Sequence, residues 1–405
     1  MPRLLDFDET MNRATESIEL FSTRFRHRHT GLVDERQFSS FLTKRLNDVG
    51  IKSESITVNV LGWRVTGPSA LKIEEGLESS IEFAPMVYSE STSEAGIEGS
   101  LVYAGNQNLL GSFVCTRFSI QDKNGKEIGQ ILGRVNGPAI IQPYPENQRR
   151  QPAAIIGSSD TEKLLALCRA NRSKVKYTCS TKFEPNTTTA RTQGILQGKT
   201  KPNEVIVINA HEDCQGAEGV PSSVDSSGAV DDGAGCAVLL ELAKHYSNHV
   251  PNRTLCFSAT CGEEWGKIGS KDYLKNLESS GTLEKVVAVV NIDAICFKDA
   301  SEIVINASGD EIPSGLNMNL MCKKALKESH FSNQKTVKEW IPPRGFDQQP
   351  FYERGIPVAT IFTHNDTYYH RSSDKFPDSI DNQLLLGAIK YYFYLIENLD
   401  TLPLS

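Results

Sequence analysis

The stretch from Val205 to Asp213 ends in two side chains that suit metal chemistry. Its apolar run Val-Ile-Val-Ile-Asn-Ala has the length and β-branched character of a buried strand, and His211 and Asp213 stand at its end. In extended backbone, residues two apart point to the same side, so these two side chains would lie together. A metal-ligating histidine usually bonds a carboxylate through its other ring nitrogen. Taken alone, such a pair is more often ordinary loop polarity, but it also fits a metal ligand, His211, with Asp213 as the residue that orients it.

Four later segments place further candidate ligands at strand or helix ends. They are Asp231 and Asp232 before the helix start Gly-Ala-Gly235, the pair Glu263 and Glu264 after an apolar strand, Asp293 after Val-Val-Asn-Ile, and His364 and His370 in the segment 360–374. Adjacent aspartates can simply cap a helix, and adjacent glutamates can simply be solvated. Two imidazoles with several carboxylates nevertheless suit a pair of zinc ions, which can share one carboxylate when about 3.5–4 Å apart. One of the paired glutamates could then ligate a metal while the other stays free as a general base.

The apolar runs from residue 173 onward predict strands that alternate with helices. The predicted strands are 174–183, 189–197, 204–210, 254–260, 286–293, 302–307 and 357–363. The predicted helices are 233–247, 266–278, 313–328, 347–354 and 380–398. This alternation predicts an α/β fold with three layers, α/β/α, in which helices cover both faces of a parallel or mixed sheet. Ligands of such sheets bind beyond the carboxyl ends of the strands, which is where all the candidate ligands fall.

Two other regions precede residue 173 in the chain. Helical spacing predicts helices at 8–27 and 34–49, and alternation predicts a strand at 54–59. From about 60 to 172, short β-like runs and frequent glycines predict a small β-rich domain with one helix near 161–170. We therefore predict a domain formed by residues 1–59 and 173–405, with residues 60–172 as an inserted β-rich domain.

Composition narrows the range of functions and partners. The formal net charge of -7 at pH 7 argues against nucleic-acid and membrane-surface partners, which require a basic face. No run approaches the roughly 18 apolar residues of a membrane span, and Met1–Thr10 lacks the apolar core of a signal peptide. The nine cysteines are scattered without a Cys-x-x-Cys pair. This pattern favours the reducing cytoplasm as the location of the protein.

In their order and spacing, the candidate segments resemble the M28 family of zinc aminopeptidases. The resemblance covers Phe21-Ser-Thr-Arg-Phe-Arg and Thr30-Gly31 near the amino terminus, and residues from about 190 to 398. It implies a zinc-exopeptidase-like fold with two zinc ions per chain. One ion would be bound by His211, Asp231 and Asp293, and the other by Asp231, Glu264 and His370.

The resemblance also implies the roles of neighbouring residues. Glu263 matches the general base of the family, and Asp213 matches the partner of the first histidine. The segment Tyr-His-Arg-Ser-Ser-Asp is similar to the final motif of the family, which makes His370 rather than His364 the ligand. The Asp231–Asp232 peptide bond is expected to be cis.

Two segments depart from the family pattern. The sequence Phe346-Asp-Gln-Gln-Pro-Phe351 stands where members often have Ser-Asp-His before a phenylalanine, so the specificity of the substrate pocket is left open. The loop from Cys214 to Ser227 is longer than the metal motif needs. The β-rich region 60–172 loosely resembles the protease-associated domain that some members carry.

The resemblance implies hydrolysis of a peptide or amide bond, with removal of amino acids from the amino terminus of a peptide as the favoured reaction. Other amide chemistry on the same residues stays open, namely a carboxypeptidase, a deacylase or a glutaminyl-cyclase-like transferase with one zinc. A non-catalytic, receptor-like relative is the alternative from another class, and the presence of Glu263 with every ligand argues against it. Neither the preferred side chain nor the oligomeric state follows from the sequence.

Overall fold

The computed structural model describes residues 5–73, 81–109, 113–144, 148–170, 173–331 and 335–403. Residues 1–4 lie outside the described residues, and they include part of the segment Met1–Thr10 for which we predict no signal-peptide core. The helices are α1 (Phe7–Arg24), α2 (Val33–Asp48), α3 (Ser158–Arg169), α4 (Gly235–Asn248), α5 (Ile268–Ser280), α6 (Met318–Ser329), α7 (Gln349–Tyr352) and α8 (Asn382–Thr401). The strands are β1 (Lys52–Val65), β2 (Ala70–Ile73), β3 (Phe83–Pro85), β4 (Ile97–Leu109), β5 (Phe113–Gln121), β6 (Glu127–Arg134), β7 (Ala153–Ile156), β8 (Lys174–Thr178), β9 (Thr181–Leu196), β10 (Lys201–His211), β11 (Arg253–Thr260), β12 (Val286–Ile292), β13 (Glu302–Ala307), β14 (Thr336–Glu339) and β15 (Val358–Thr363).

The central sheet of the larger domain is mixed and has the strand order β1-β9-β11-β10-β12-β15-β13-β14. Its four middle strands, β11, β10, β12 and β15, run parallel to one another. Their carboxyl ends therefore meet at one edge of the sheet, which is the edge at which ligands of α/β proteins bind. The sequence places His211, the Glu263–Glu264 pair, Asp293 and the segment containing His370 at these four ends.

Helices cover both faces of this sheet, which confirms the predicted three-layer α/β/α fold. Alternation along β10 shows how the layers are built, because Ile206 and Ile208 belong to the core beneath α1, α2, α4, α6 and α8. The intervening Val207 belongs to the opposite core, where α5 and α7 contribute Tyr273 and Phe351. Both faces of the middle strands are buried, which explains why these strands read as continuous apolar runs.

The smaller domain is inserted between β1 and β9 and contains a seven-stranded sheet in the order β2-β8-β4-β5-β6-β7-β3. The predicted boundaries of 60–172 need correction at both ends. β1 continues in the central sheet to Val65, and β8 (Lys174–Thr178) belongs to the inserted sheet. The insertion is not isolated, because its Met86 and Ile141 share an apolar cluster with Trp265 of the larger domain.

Several predicted elements change at their ends or divide. The single strand predicted at 174–183 is two strands in different sheets, because the chain passes between domains after Thr178. The helices predicted at 313–328 and 347–354 are shorter, since α6 begins only at Met318 and α7 spans Gln349–Tyr352. The edge strand β14 was not predicted, because its short, exposed sequence Thr-Val-Lys-Glu lacks an apolar run. Within the described residues, no helix has the length and apolar character needed to cross a membrane.

Arg28 joins the amino-terminal helices to the loop that precedes α4. Its guanidinium donates to the carbonyl oxygens of Phe25 (3.3 Å), Glu212 (2.9 Å), Ser227 (3.0 Å) and Gly228 (2.9 Å). The side chain is fully buried. Planar, multiple donors of this kind suit arginine and no other side chain, so Arg28 fixes the backbone on both sides of the candidate site.

The substitution Arg28→Met should lower the free energy of unfolding by about 3 kcal/mol or more, because it leaves several buried carbonyl groups without a donor. Arg26→Met is the matched control, since Arg26 is exposed on the same loop and surface changes usually alter stability by less than about 0.5 kcal/mol. Urea unfolding of both variants measures the difference. Equal stability of the two variants would contradict the anchoring role of Arg28.

Candidate metal centre

His211, at the end of β10, faces two carboxylates with one ring nitrogen and a third with the other. Its Nε2 lies 3.0 Å from Oδ1 of Asp231 and 3.7 Å from Oδ2 of Asp293. Its Nδ1 lies 3.4 Å from Oδ1 of Asp213. The predicted ligand and its predicted orienting residue thus contact each other, and Nε2 points to the first of the two predicted ligand groups.

The second predicted ligand group surrounds His370. Its Nε2 lies 3.0 Å from Oε2 of Glu264 and 3.3 Å from Oδ2 of Asp231. Asp231 therefore turns one oxygen to each histidine, as a shared ligand would. The alternative histidine, His364, lies elsewhere, with its Nε2 3.3 Å from Oδ1 of Asp366.

Asp213 also holds the paired glutamates. Its carboxylate accepts hydrogen bonds from the backbone N–H groups of Glu263 (3.1 Å) and Glu264 (3.2 Å), and from the hydroxyl of Thr30 (3.0 Å). The side chain of Asp213 is completely buried. One carboxylate therefore fixes the histidine of one strand end relative to the glutamates of the next.

The turn that carries Asp231 is held by two other carboxylates. Asp374 accepts from the backbone N–H groups of Val230 (3.0 Å) and Asp231 (3.1 Å). Asp232 accepts from the backbone N–H groups of His211 (3.1 Å) and Gly235 (3.0 Å), and so combines the helix-capping role with a contact to the first ligand. The Asp231–Asp232 peptide bond is cis, as expected.

The donor set fits borderline divalent cations such as zinc. Donor atoms around a tetrahedral zinc ion lie about 3.3 Å apart when each is about 2.0 Å from the metal, and the distances from the two Nε2 atoms bracket this value. Oε1 of Glu264 is buried without a hydrogen-bond partner, which is costly for a carboxylate unless a cation satisfies it. His211, Asp231 and Asp293 would hold one ion, and Asp231, Glu264 and His370 the other.

The family model for peptidase family M28 matches residues 192–394, which include every one of these ligands. This chain belongs to peptidase family M28. The resemblance stated from the sequence is thereby confirmed.

Individual M28-like relatives are distant. The chain is 28% identical over 258 residues to a leucine aminopeptidase 2 of Arthroderma otae, an alignment that covers 60% of this chain and 48% of that protein. It is 30% identical over 100 residues to a probable zinc metalloprotease of Pyrenophora tritici-repentis, which covers 25% of this chain and 23% of that protein. These alignments span about half or less of the length of the curated relatives.

Two solved structures have the same fold over nearly the whole chain. A peptidase M28 precursor from Shewanella amazonensis superposes with a TM-score of 0.71 at 18% identity, covering 98% of this chain and 97% of that one. A zinc aminopeptidase from Bacillus subtilis superposes with a TM-score of 0.67 at 19% identity, covering 96% and 95%. At these identities the likeness establishes the fold.

The carboxylates of this M28 site have divergent pKa values. Burial raises the pKa of Glu264 to about 7 despite its contact with His370. Burial would also raise the pKa of Asp231, but hydrogen bonds with His211 and His370 outweigh it and lower that pKa below its usual range. Burial raises the pKa of Glu263 well above its usual value, and Asp347 and Asp293 add to this effect.

An apolar cavity of about 170 Å³ opens beside the ligands. It is lined by Ala294, Trp340, Gly345, Phe346, Phe362, Thr363, His364 and Tyr369. Ala294 directly follows the candidate ligand Asp293, and Tyr369 directly precedes the candidate ligand His370, so the cavity is lined by a neighbour of each candidate ligand group. A larger cavity of about 830 Å³ lies at the amino ends of β12 and β15, away from the metal ligands.

The segment 346–351, which departs from the family pattern, contributes only part of the lining of the apolar cavity of about 170 Å³. Phe346 contributes its ring, whereas Gln348 is buried and donates to Oδ1 of Asn306 at 3.0 Å. Asp347 is buried and accepts hydrogen bonds from Thr260 and from Nδ2 of Asn209 (3.3 Å). In the sequence, Asp347 belongs to a segment that departs from the family pattern, so its place among the site carboxylates was not predicted.

Two glutamines that contact the ligands were also not predicted. Nε2 of Gln215, in the long loop 214–227, donates to Oε2 of Glu264 at 3.3 Å. Nε2 of Gln142, in the inserted domain, lies 3.0 Å from Nδ1 of His370. Neither glutamine stands in a recognisable motif, because both reach the site through tertiary contacts that local sequence patterns do not encode.

A second group of potential ligands consists of His27 and His29, which precede α2, and Asp225 in the loop 214–227. Nε2 of the buried His29 lies 3.0 Å from Oδ1 of Asp225, and Nδ1 of the half-exposed His27 lies 3.7 Å from Oδ2. The close His29–Asp225 pair ties the turn between α1 and α2 to this loop.

Removal of the cations should destabilise the protein more at pH 8 than at pH 5. In the metal-free protein the pKa of Glu264 is raised to about 7, so folding loses stability as pH rises from the usual glutamate pKa toward 7. Burial would lower the pKa of His370, but Glu264 and Asp231 raise it to about 10, so its stabilising contribution, complete below pH 6.5, declines above it. Cation binding, by contrast, strengthens as the ligands lose protons.

The difference in Tm between zinc-loaded and chelator-treated protein should therefore widen by several degrees from pH 5 to pH 8, as measured by thermal unfolding. A difference that stays constant or narrows over this range would contradict the assigned cluster.

Proposed function

We propose that the chain is a dizinc aminopeptidase that removes apolar residues from the amino terminus of peptides. The observation that carries the proposal is the position of Asp231, with one oxygen toward each histidine and the paired glutamates fixed beside it by Asp213. Membership of family M28 supports peptide hydrolysis. The relatives named as aminopeptidases support the amino terminus as the point of cleavage.

When bound, two zinc ions would supply Lewis-acid polarisation of the scissile carbonyl and acidification of the attacking water. Glu263 is the general base, because its neighbour Glu264 is the member of the glutamate pair that contacts the ligand His370. It takes the proton of the attacking water and passes it to the leaving nitrogen. In the metal-free protein, burial raises the pKa of Glu263 above its usual value.

Tyr369 is suited to donate a hydrogen bond to the oxygen of the scissile carbonyl. Burial raises the pKa of its hydroxyl well above 10, and Asp231, Glu264 and Glu263 raise it further, so the hydroxyl keeps its proton at working pH. Its ring stacks on the ligand His370 at a centroid distance of 3.7 Å, which fixes the side chain beside the reacting group. A fixed donor of this kind stabilises negative charge as it develops in the transition state.

The apolar cavity suits the side chain of the first substrate residue. Trp340, Phe346 and Phe362 line it, and none of the lining residues that the structure describes is a lysine, arginine, aspartate or glutamate. Its volume is below the several hundred Å³ of sites that enclose whole drug-sized ligands, so it suits a single side chain. A charged side chain would lose its hydration there without gaining a partner.

A reducing compartment such as the cytoplasm is the proposed location. All nine cysteines are free, and eight of them are buried, including Cys256 and Cys296 within the core. Buried, unpaired thiols are typical of proteins that do not rely on disulfide bonds.

Glu263→Gln should keep two zinc ions per chain and lose activity by about 10²–10⁴-fold, which is the usual contribution of general acid–base catalysis. Elemental analysis measures the ions, and hydrolysis of aminoacyl anilides measures turnover. Glu278→Gln is the control, since Glu278 is an ordinary helix residue that pairs with Arg354. Turnover of Glu263→Gln at the wild-type rate would refute the assignment of the base.

A panel of substrates tests whether cleavage requires a free amino terminus and which side chain the cavity accepts. Free-amine leucyl peptides should be cleaved, whereas N-acylated peptides should not, and leucyl anilide should exceed lysyl and glutamyl anilides in kcat/KM by at least about 10²-fold. Preferred cleavage of the N-acylated peptides would favour a deacylase, and cyclisation of an amino-terminal glutamine would favour the transferase.

Phe346→Ala should then shift the preference from leucine toward larger aromatic residues by about 10-fold, because it enlarges the cavity. Phe183→Ala is the matched control, since Phe183 is a partly buried aromatic residue outside the cavity. An unchanged preference in Phe346→Ala would exclude this cavity as the binding site of the side chain.

A further inference from the structure

The inserted domain reaches the metal centre through the buried side chain of Gln142. Gln142 is 2% exposed, and Nε2 of its side chain lies 3.0 Å from Nδ1 of His370. We propose that Gln142 is a positioning residue that fixes the orientation and the protonated nitrogen of His370, and so determines the affinity of the second cation. This inference rests on the proposed dizinc site and assigns part of it to the insertion.

The backbone around Gln142 is fixed within its own domain. Val87 donates its N–H to the carbonyl oxygen of Gln142 at 3.0 Å, and Tyr144 donates its N–H to the carbonyl oxygen of Val87 at 2.8 Å. Pro138 and Ala139 precede it in the same segment. The side chain of Gln142 is therefore presented from a hydrogen-bonded segment rather than from a free loop.

The loop that carries His370 is tied to the same segment on both sides of the histidine. Nη2 of Arg134 lies 2.8 Å from Oδ1 of Asp366, which precedes His370 by four residues. Nη1 of Arg371, the residue after His370, donates to the carbonyl oxygen of Ala139 at 2.8 Å. These two arginine contacts set the distance between Gln142 and His370, so their approach is built into the domain interface.

The chemistry of the imidazole defines what Gln142 must supply. Nε2 of His370 faces Glu264 and Asp231, and a cation bound there requires Nε2 to be unprotonated. The proton then resides on Nδ1, which donates to an acceptor. A half turn of the Gln142 amide brings its oxygen to the place of Nε2, because the two ends of an amide have nearly the same shape.

The two ligand histidines thus have partners of different charge. His211 has the carboxylate of Asp213 beside Nδ1, whereas His370 has the neutral amide of Gln142. A carboxylate partner makes the imidazole a stronger ligand than a neutral partner does. We therefore expect the ion at Glu264 and His370 to be held more weakly than the ion at His211 and Asp293.

Three full-length variants test the proposal through zinc affinity, measured by equilibrium dialysis against graded chelator buffers. Gln142→Met keeps the size of the side chain but removes the hydrogen-bond acceptor. It should lower the affinity for one of the two zinc ions by about 10–100-fold and leave the affinity for the other ion unchanged. Gln142→Glu restores an acceptor and should bind that ion at least as tightly as the wild type. Gln130→Met is the matched control and should bind as the wild type, because Gln130 is a buried glutamine of the same domain that bonds Arg117 and Tyr144.

Two results would overturn the proposal. Wild-type affinity for both ions in Gln142→Met would show that Gln142 does not act on His370. Equal weakening in Gln142→Met and Gln142→Glu would show that an acceptor at this position is not what matters, even if the first variant folds poorly. A wild-type protein that binds fewer than two zinc ions would instead refute the dizinc site itself, so the two failures are distinguishable.

Discussion

The concentration of buried negative charge at one edge of the central sheet is the constraint on which the structure depends. The carboxylates of Asp213, Asp231, Asp232, Glu264 and Asp293 are all buried within this edge. Such a group is unstable unless each member is hydrogen-bonded or paired with positive charge. Two imidazoles and several backbone N–H groups meet part of this requirement, and the two proposed cations would meet the rest.

The carboxylates divide into those that hold the backbone and those that face the two histidines. Asp213, Asp232 and Asp374 accept from backbone N–H groups and so fix the strand ends and the turn before α4. Asp231, Glu264 and Asp293 instead face the histidines. This division explains how strand ends that are distant along the chain can form a rigid site.

Patterns that are local in the sequence predicted most of the central fold and the strand ends at which the candidate ligands lie. The apolar run before His211 and the equivalent run before Asp293 identify parallel strands buried on both faces, and their ends must meet at one edge. The strand predicted at 174–183 was wrong in extent because strand propensity does not reveal that the chain changes sheets after Thr178. Gln142 and Gln215 could not be predicted, because their roles arise from the packing of the insertion and of the loop 214–227 against the centre.

The most direct test of the central claim is anomalous diffraction at the zinc edge from crystals of the zinc-loaded protein. The account predicts two peaks about 3.5–4 Å apart, with one oxygen of Asp231 bound to each, His211 and Asp293 at the first, and Glu264 and His370 at the second. A single peak, or two peaks that do not share Asp231, would contradict the account.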